Sequence, residues 1–200
     1  LSCRRIYPET QYLKFALGFH PQETSLTEKD FRSFMYLVDE VNYVGEIGLD
    51  FSKTNYLDRD KQHDYFEKIV RICTEKNKLM SVHLRKSEDM AISILNEYRP
   101  SKCIIHWFNG TNKQLQQLVE LGCYFSLNSN MINNVKNREK LFLIPKTKLL
   151  IESDGPFTKI EGKKYTYNDL SKIYQLAARH LNASDLIKIV YSNFRDILLK

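Results

Sequence analysis

The sequence predicts an α/β fold, either a (β/α) barrel or an open parallel sheet. Three observations point there. Six short β-rich runs recur along the chain, amphipathic stretches at helical spacing fill the gaps between them, and polar residues sit where the runs end. The runs are 14–19 (KFALGF), 43–49 (YVGEIGL), 79–84 (LMSVHL), 103–108 (CIIHWF), 123–127 (CYFSL) and 148–152 (KLLIE). Most are continuously apolar, as parallel strands covered on both faces must be. Strands alternating with helices read as βαβ units. A full eight-unit barrel takes about 250 residues. Six units in 200 residues keep that pitch and leave about two units unaccounted for.

The intervening segments read as helices. Thr27 can cap a helix whose Phe31, Phe34, Met35, Val38 and Val41 fall on one stripe. Phe66, Ile69, Val70 and Cys73 mark a second helix, and Met90, Ile94 and Tyr98 a third. Thr111 and Gln114 have capping-box spacing, opening a helix that stops before Gly122. The segment from about residue 168 to 199 reads as two helices broken around 182–184. No repeat, linker or low-complexity tract interrupts the pattern, so residues 1–200 read as a single domain.

Composition narrows the class. Apolar residues at 42% and charged residues at 27% are enough for a buried core and exclude a disordered chain. No apolar run approaches the ~18 residues of a membrane span, and no basic-then-apolar leader is present. Cys3, Cys73, Cys103 and Cys123 are scattered and form no CxxC pair, which argues against a zinc ribbon or a disulfide framework. The expectation is a cytoplasmic protein without a membrane partner. Thirty Lys+Arg against 24 Asp+Glu give a net charge of +6, compatible with a polyanionic partner or with plain solubility.

His20, Glu46, His83, His106 and Asp154 each fall at or near the carboxyl end of a different strand. In parallel α/β folds those ends converge on one face, where sites are built. A single strand histidine is most often a hydrogen-bonded core residue. Three of five histidines and two carboxylates ending separate strands point instead to a metal site. Nitrogen and carboxylate donors without thiolate suit Zn²⁺, Mn²⁺, Mg²⁺ or Co²⁺. A bridging carboxylate allows two ions about 3.5–4 Å apart, an arrangement that hydrolyses phosphodiesters.

The segments ALGFHP (16–21), GEIGLDF (45–51), VHLRKS (82–87), IIHWFNGT (104–111) and LIESDGPF (150–157) resemble, in order, the signatures of the TatD-like metal-dependent deoxyribonucleases. Gln62, Phe66 and the Asn193–Phe194 pair also resemble family positions. The resemblance selects the TIM-type barrel, with strands three to eight recognisable. It implies two divalent ions and nuclease activity on DNA, or RNA, at single-stranded or frayed ends. By position, Glu46 bridges the ions, His83 and His106 bind one of them, and Asp154 binds at the attacking water and serves as its base. His20 lies beside the scissile phosphate or leaving oxygen, Arg85 clamps phosphate, and Asp50 orients a ligand from behind.

The chain also departs from that family. Nothing matches the usual opening strand with its His-x-His pair, and residues 1–7 resemble the end of the helix ahead of the third strand. Two earlier strands, about 50 residues by barrel arithmetic, are therefore expected outside this sequence or absent. Absence would leave an open edge at the strand 16–19 for self-association or a protein partner. Gly155 stands where the family has Ala or Ser, the loop 157–166 carries lysines in place of Arg-Asn-Glu-Pro, and Asn128, Ser129 and Asn130 replace a glycine-bearing turn. Three readings result: a metal-dependent deoxyribonuclease, a catalytically weak relative serving as a binding or scaffold subunit, and a hydrolase of other esters or amides. Arg85 and the basic balance favour phosphate.

Overall fold

The computed structural model describes residues 6–53, 57–135, 138–160, 162–165 and 169–200. All six expected strands form. They are β1 (Leu17–Phe19), β2 (Tyr43–Asp50), β3 (Leu79–Arg85), β4 (Cys103–His106), β5 (Tyr124–Leu127) and β6 (Leu149–Ile151). They build one parallel sheet in sequential order β1 to β6, the strand order of a TIM-type barrel. Within this sheet β1 and β6 are the outer strands, each pairing on one side. The helix end expected at residues 1–7 falls mostly outside the described residues.

The helices that connect the strands are α1 (Glu28–Leu37), α2 (Arg59–Glu75), α3 (Glu88–Tyr98), α4 (Asn112–Glu120), α5 (Ser129–Asn133), α6 (Arg138–Leu143), α7 (Leu170–His180) and α8 (Leu186–Leu199). Local chemistry starts them. Thr27 and Asp30 close a capping box on α1: the Asp30 amide donates to Thr27 Oγ1 at 3.3 Å and the Thr27 amide to Asp30 Oδ2 at 2.8 Å. Thr111 and Gln114 do the same for α4, at 3.3 and 2.8 Å. Such caps are worth about 1 kcal/mol each. Gly122, at φ +84°, ends that helix in a left-handed turn.

Tertiary packing supplies the rest. The α2 stripe Phe66, Ile69, Val70 and Cys73 is buried against a core that includes Ile47, Leu49, Met80, Val82, Ile105, Phe125 and Leu127. Two features were not expected. The chain after β5 forms α5 and α6, and part of the expected 157–166 loop is an antiparallel hairpin of β7 (Lys159–Ile160) and β8 (Lys163–Lys164). Gly162, at φ +77°, allows that turn.

The register of β2 positions the site. Val44 pairs with Met80 and Ile47 with Val82, so three steps on β2 face two on β3. The same offset appears toward β1, where Leu17 pairs with Val44 and Phe19 with Ile47. Gly45–Glu46 is therefore bulged relative to both neighbours, and a bulge re-aims the side chain it carries. Gly48 permits the close approach of β3: a Cβ built there would lie 2.0 Å from the His83 carbonyl oxygen.

Candidate metal centre

The strand ends bring His20, Glu46, His83, His106 and Asp154 together around one open cavity of ≈ 1460 Å³. Their donor atoms form two triads. His20, Glu46 and His83 make one, Glu46, His106 and Asp154 the other, with the donors in each triad lying within 4.8 Å of one another. Glu46 belongs to both. The bulge that aims it is thus what joins the halves of the site.

In the first triad, His20 Nε2 lies 3.2 Å from Glu46 Oε2, and the His20 and His83 rings sit 4.7 Å apart. Behind them, buried Asp50 accepts from His83 Nε2 at 3.0 Å and from Gln22 Nε2 at 2.6 Å, while its Oδ1 accepts the Ser52 amide at 2.8 Å. Burial works against the Asp50 charge. The bonds from His83, Ser52 and Gln22 outweigh it and hold the group well below the usual carboxylate range. Gln62 fixes the Asp50 backbone in both directions, accepting its amide at 2.8 Å and donating to its carbonyl at 3.1 Å.

In the second triad, His106 Nε2 lies 3.8 Å from Glu46 Oε2 and 3.9 Å from Asp154 Oδ1. Its Nδ1 pairs with Glu152 Oε2 at 2.8 Å. Ser126 Oγ also donates to Glu152 Oε2, and Asn128 Nδ2 donates to Oε1 at 2.9 Å. Burial disfavours a charged His106 ring, but Glu152, then Glu46 and Asp154, push its pKa up to about 9. Burial raises Asp154, the His106 charge opposes it, and Glu152 and Glu46 add to it, leaving Asp154 at about 6. Around Glu46, burial is outweighed by His20, His106 and His83, and its pKa falls.

This donor set fits divalent cations. It offers imidazole nitrogens and carboxylate oxygens without thiolate, which suits Mg²⁺, Mn²⁺ or Zn²⁺. Three carboxylates, Glu152, Glu46 and Asp154, crowd His106, a negative setting that favours a cation. His106 also has Nδ1 held by Glu152 and Nε2 toward Glu46 and Asp154, a common support for a metal ligand.

His83 and His106, paired on one ion by the family resemblance, belong to different triads, and His20 joins His83. In the register His83 sits opposite both Gly48 and His106, and the bulge at Gly45–Glu46 sets where the Glu46 carboxylate falls between them. Asp50 lies behind His83, and Arg85 is exposed on the cavity wall. Glu152, Gln22, Ser126 and Asn128 were not read as site residues. All four lie at or just beyond the ends of β1, β5 and β6, where no strand period singles them out.

The sequence matches the family described as TatD related DNase over residues 3–199. The chain belongs to that family. Among its relatives, the 3′-5′ ssDNA/RNA exonuclease TatD of Citrobacter rodentium is 30% identical over 148 residues, which is 70% of this chain and 56% of that one. The deoxyribonuclease Tat-D of Schizosaccharomyces pombe is 29% identical over 119 residues, 58% of this chain and 38% of its own. The chain thus matches about half or less of these relatives' lengths. A TatD homologue of Escherichia coli superposes with TM-score 0.79 at 19% identity, covering 89% of this chain and 73% of that structure. A TatD-family hydrolase structure from Entamoeba histolytica gives 0.74 at 21%, covering 91% and 73%. At such identity these structures speak for the TatD fold. Among the described residues no helix is long and apolar enough to cross a membrane.

Proposed function

We propose that this TatD-family chain, acting as one domain over residues 1–200, is a metal-dependent nuclease that hydrolyses phosphodiester bonds of DNA, or RNA, at single-stranded or frayed ends. The observation that carries the reading is the pair of triads sharing Glu46 at the base of a cavity walled by Arg85 and Lys86. The relatives named as exonuclease and deoxyribonuclease support it. His20, Glu46 and His83 would hold one divalent ion, and Glu46, His106 and Asp154 a second. When bound, such ions supply Lewis-acid polarisation of a phosphoryl oxygen and acidify water.

The chain's own groups do the rest. Asp154, at about 6, can take the proton of the attacking water near neutral pH. The oxygen that attacks phosphorus forms a new P–O bond as the bond to the leaving sugar oxygen breaks. The same proton is then available to that oxygen. Glu152 fixes the His106 tautomer, Asp50 orients His83, and Arg85 faces the substrate with a guanidinium suited to phosphate geometry. His20, close to Glu46, is read as a donor to a cation before any role at the leaving group. Three free, buried cysteines (Cys73, Cys103 and Cys123) support a reducing, cytoplasmic setting.

Incubating labelled single-stranded oligonucleotide with the purified protein and Mg²⁺ or Mn²⁺ tests the reading. Shortened products that vanish with EDTA and with Asp154→Asn are expected. Cation-dependent binding without cleavage in the wild type would overturn it in favour of a scaffold role.

A further inference from the structure

We propose that Trp107 and Phe157 form a platform on which unpaired nucleic-acid bases stack beside the metal centre; the inference deepens the nuclease reading and rests on it. Both rings line the site cavity. Phe157 is 77% exposed, which leaves its ring open to a ligand in the cavity. Its position is set by the site, because its amide donates to the Asp154 carbonyl at 2.9 Å in a tight turn. Trp107 directly follows His106, with its ring edge-on to the imidazole at a centroid distance of 6.2 Å. Its backbone lies at φ +40°, a conformation that bulky residues seldom adopt. Such an outlier beside a functional group marks a constraint at the site.

Charge in the same cavity identifies the occupant. Arg85 and Lys86 are consecutive, exposed cations at the end of β3, lining the cavity with the two rings. Cations for the backbone and aromatic faces for the bases are the combination that holds single strands with little sequence preference. In a duplex, base faces are stacked on one another and closed to such a platform. The arrangement therefore selects unpaired strands or frayed ends.

Trp107 is the sole tryptophan in the sequence, so its fluorescence reports directly on this surface. The metal-free protein in EDTA is titrated with oligothymidylate and with an abasic oligomer of equal length, which carries the same phosphates and no bases. Oligothymidylate should quench the emission in a saturable way and bind more tightly than the abasic oligomer. Phe157→Ala should weaken oligothymidylate binding about 5- to 150-fold, leave abasic binding unchanged, and be rescued by Phe157→Tyr. In cleavage assays it should raise KM with little change in kcat. Equal binding of both oligomers with unchanged emission, alongside intact cation-dependent cleavage, would refute the platform and spare the nuclease reading. Failure of both oligomers to bind together with absence of cleavage would overturn both.

Discussion

His106 is gripped at Nδ1 by Glu152 at 2.8 Å, and this turns its Nε2 toward Glu46 and Asp154, 3.8 and 3.9 Å away. The pair makes Glu152 a positioning residue that contacts the ligand from behind. Glu152→Gln should weaken cation affinity about 10- to 100-fold, the usual effect of losing such a partner. Calorimetry with Mn²⁺ checks this, and an unchanged affinity would remove Glu152 from the site.

The same pair predicts a pH effect in the metal-free protein. The His106 pKa is raised to about 9 from an ordinary value of 6.5. A raised folded-state pKa contributes stability that is fully present below 6.5 and is lost as pH rises through about 9. Denaturation midpoints of the metal-free protein should therefore fall between pH 6.5 and 9, and fall less in Glu152→Gln. Because a ligating histidine must be neutral, cation binding near pH 7.5 should also release a proton, measurable by calorimetry in buffers of different ionisation heat.

Division of the histidines between the triads makes a separate prediction. His83→Ala should lose one class of Mn²⁺ site and keep the other, His106→Ala should lose the complementary class, and Glu46→Gln should weaken both. Elemental analysis with calorimetry reads the stoichiometry. Simultaneous loss of both classes on His83→Ala, with the fold intact by circular dichroism, would contradict the division.

Asp154→Asn removes the proton acceptor and leaves a neutral oxygen donor of the same shape. Cleavage of labelled oligonucleotide should fall about 10²- to 10⁴-fold with the fold retained by circular dichroism. Cleavage at the wild-type rate would assign the base elsewhere.

Gly48 and Gly122 separate close approach from conformation. At Gly48 a Cβ meets the His83 carbonyl at 2.0 Å and φ is +141°, whereas at Gly122 nothing lies within 4 Å and φ is +84°. Gly122→Ala should destabilise by about 1–2 kcal/mol from backbone strain alone. Gly48→Ala should exceed that by parting β2 from β3, and chemical denaturation of both variants gives the comparison.

What the sequence by itself determined was everything short-range. Apolar runs located all six strands, the spacing of Phe66, Ile69, Val70 and Cys73 located α2, and the Thr27 and Thr111 caps located two helix starts, because periodicity and capping act over a few residues. Strand ends also picked out His20, Glu46, His83, His106 and Asp154, since parallel topology sends those ends to one face. The tertiary structure alone decided how these residues divide. Which donors meet depends on strand stagger, and the stagger turns on one extra residue at Gly45–Glu46 that no local pattern announces. Glu152 escaped notice for a related reason. A carboxylate at a strand end reads as an ordinary polar terminus until β4 and β5 bring His106, Ser126 and Asn128 to it, and only the folded sheet puts those four residues within hydrogen-bonding reach.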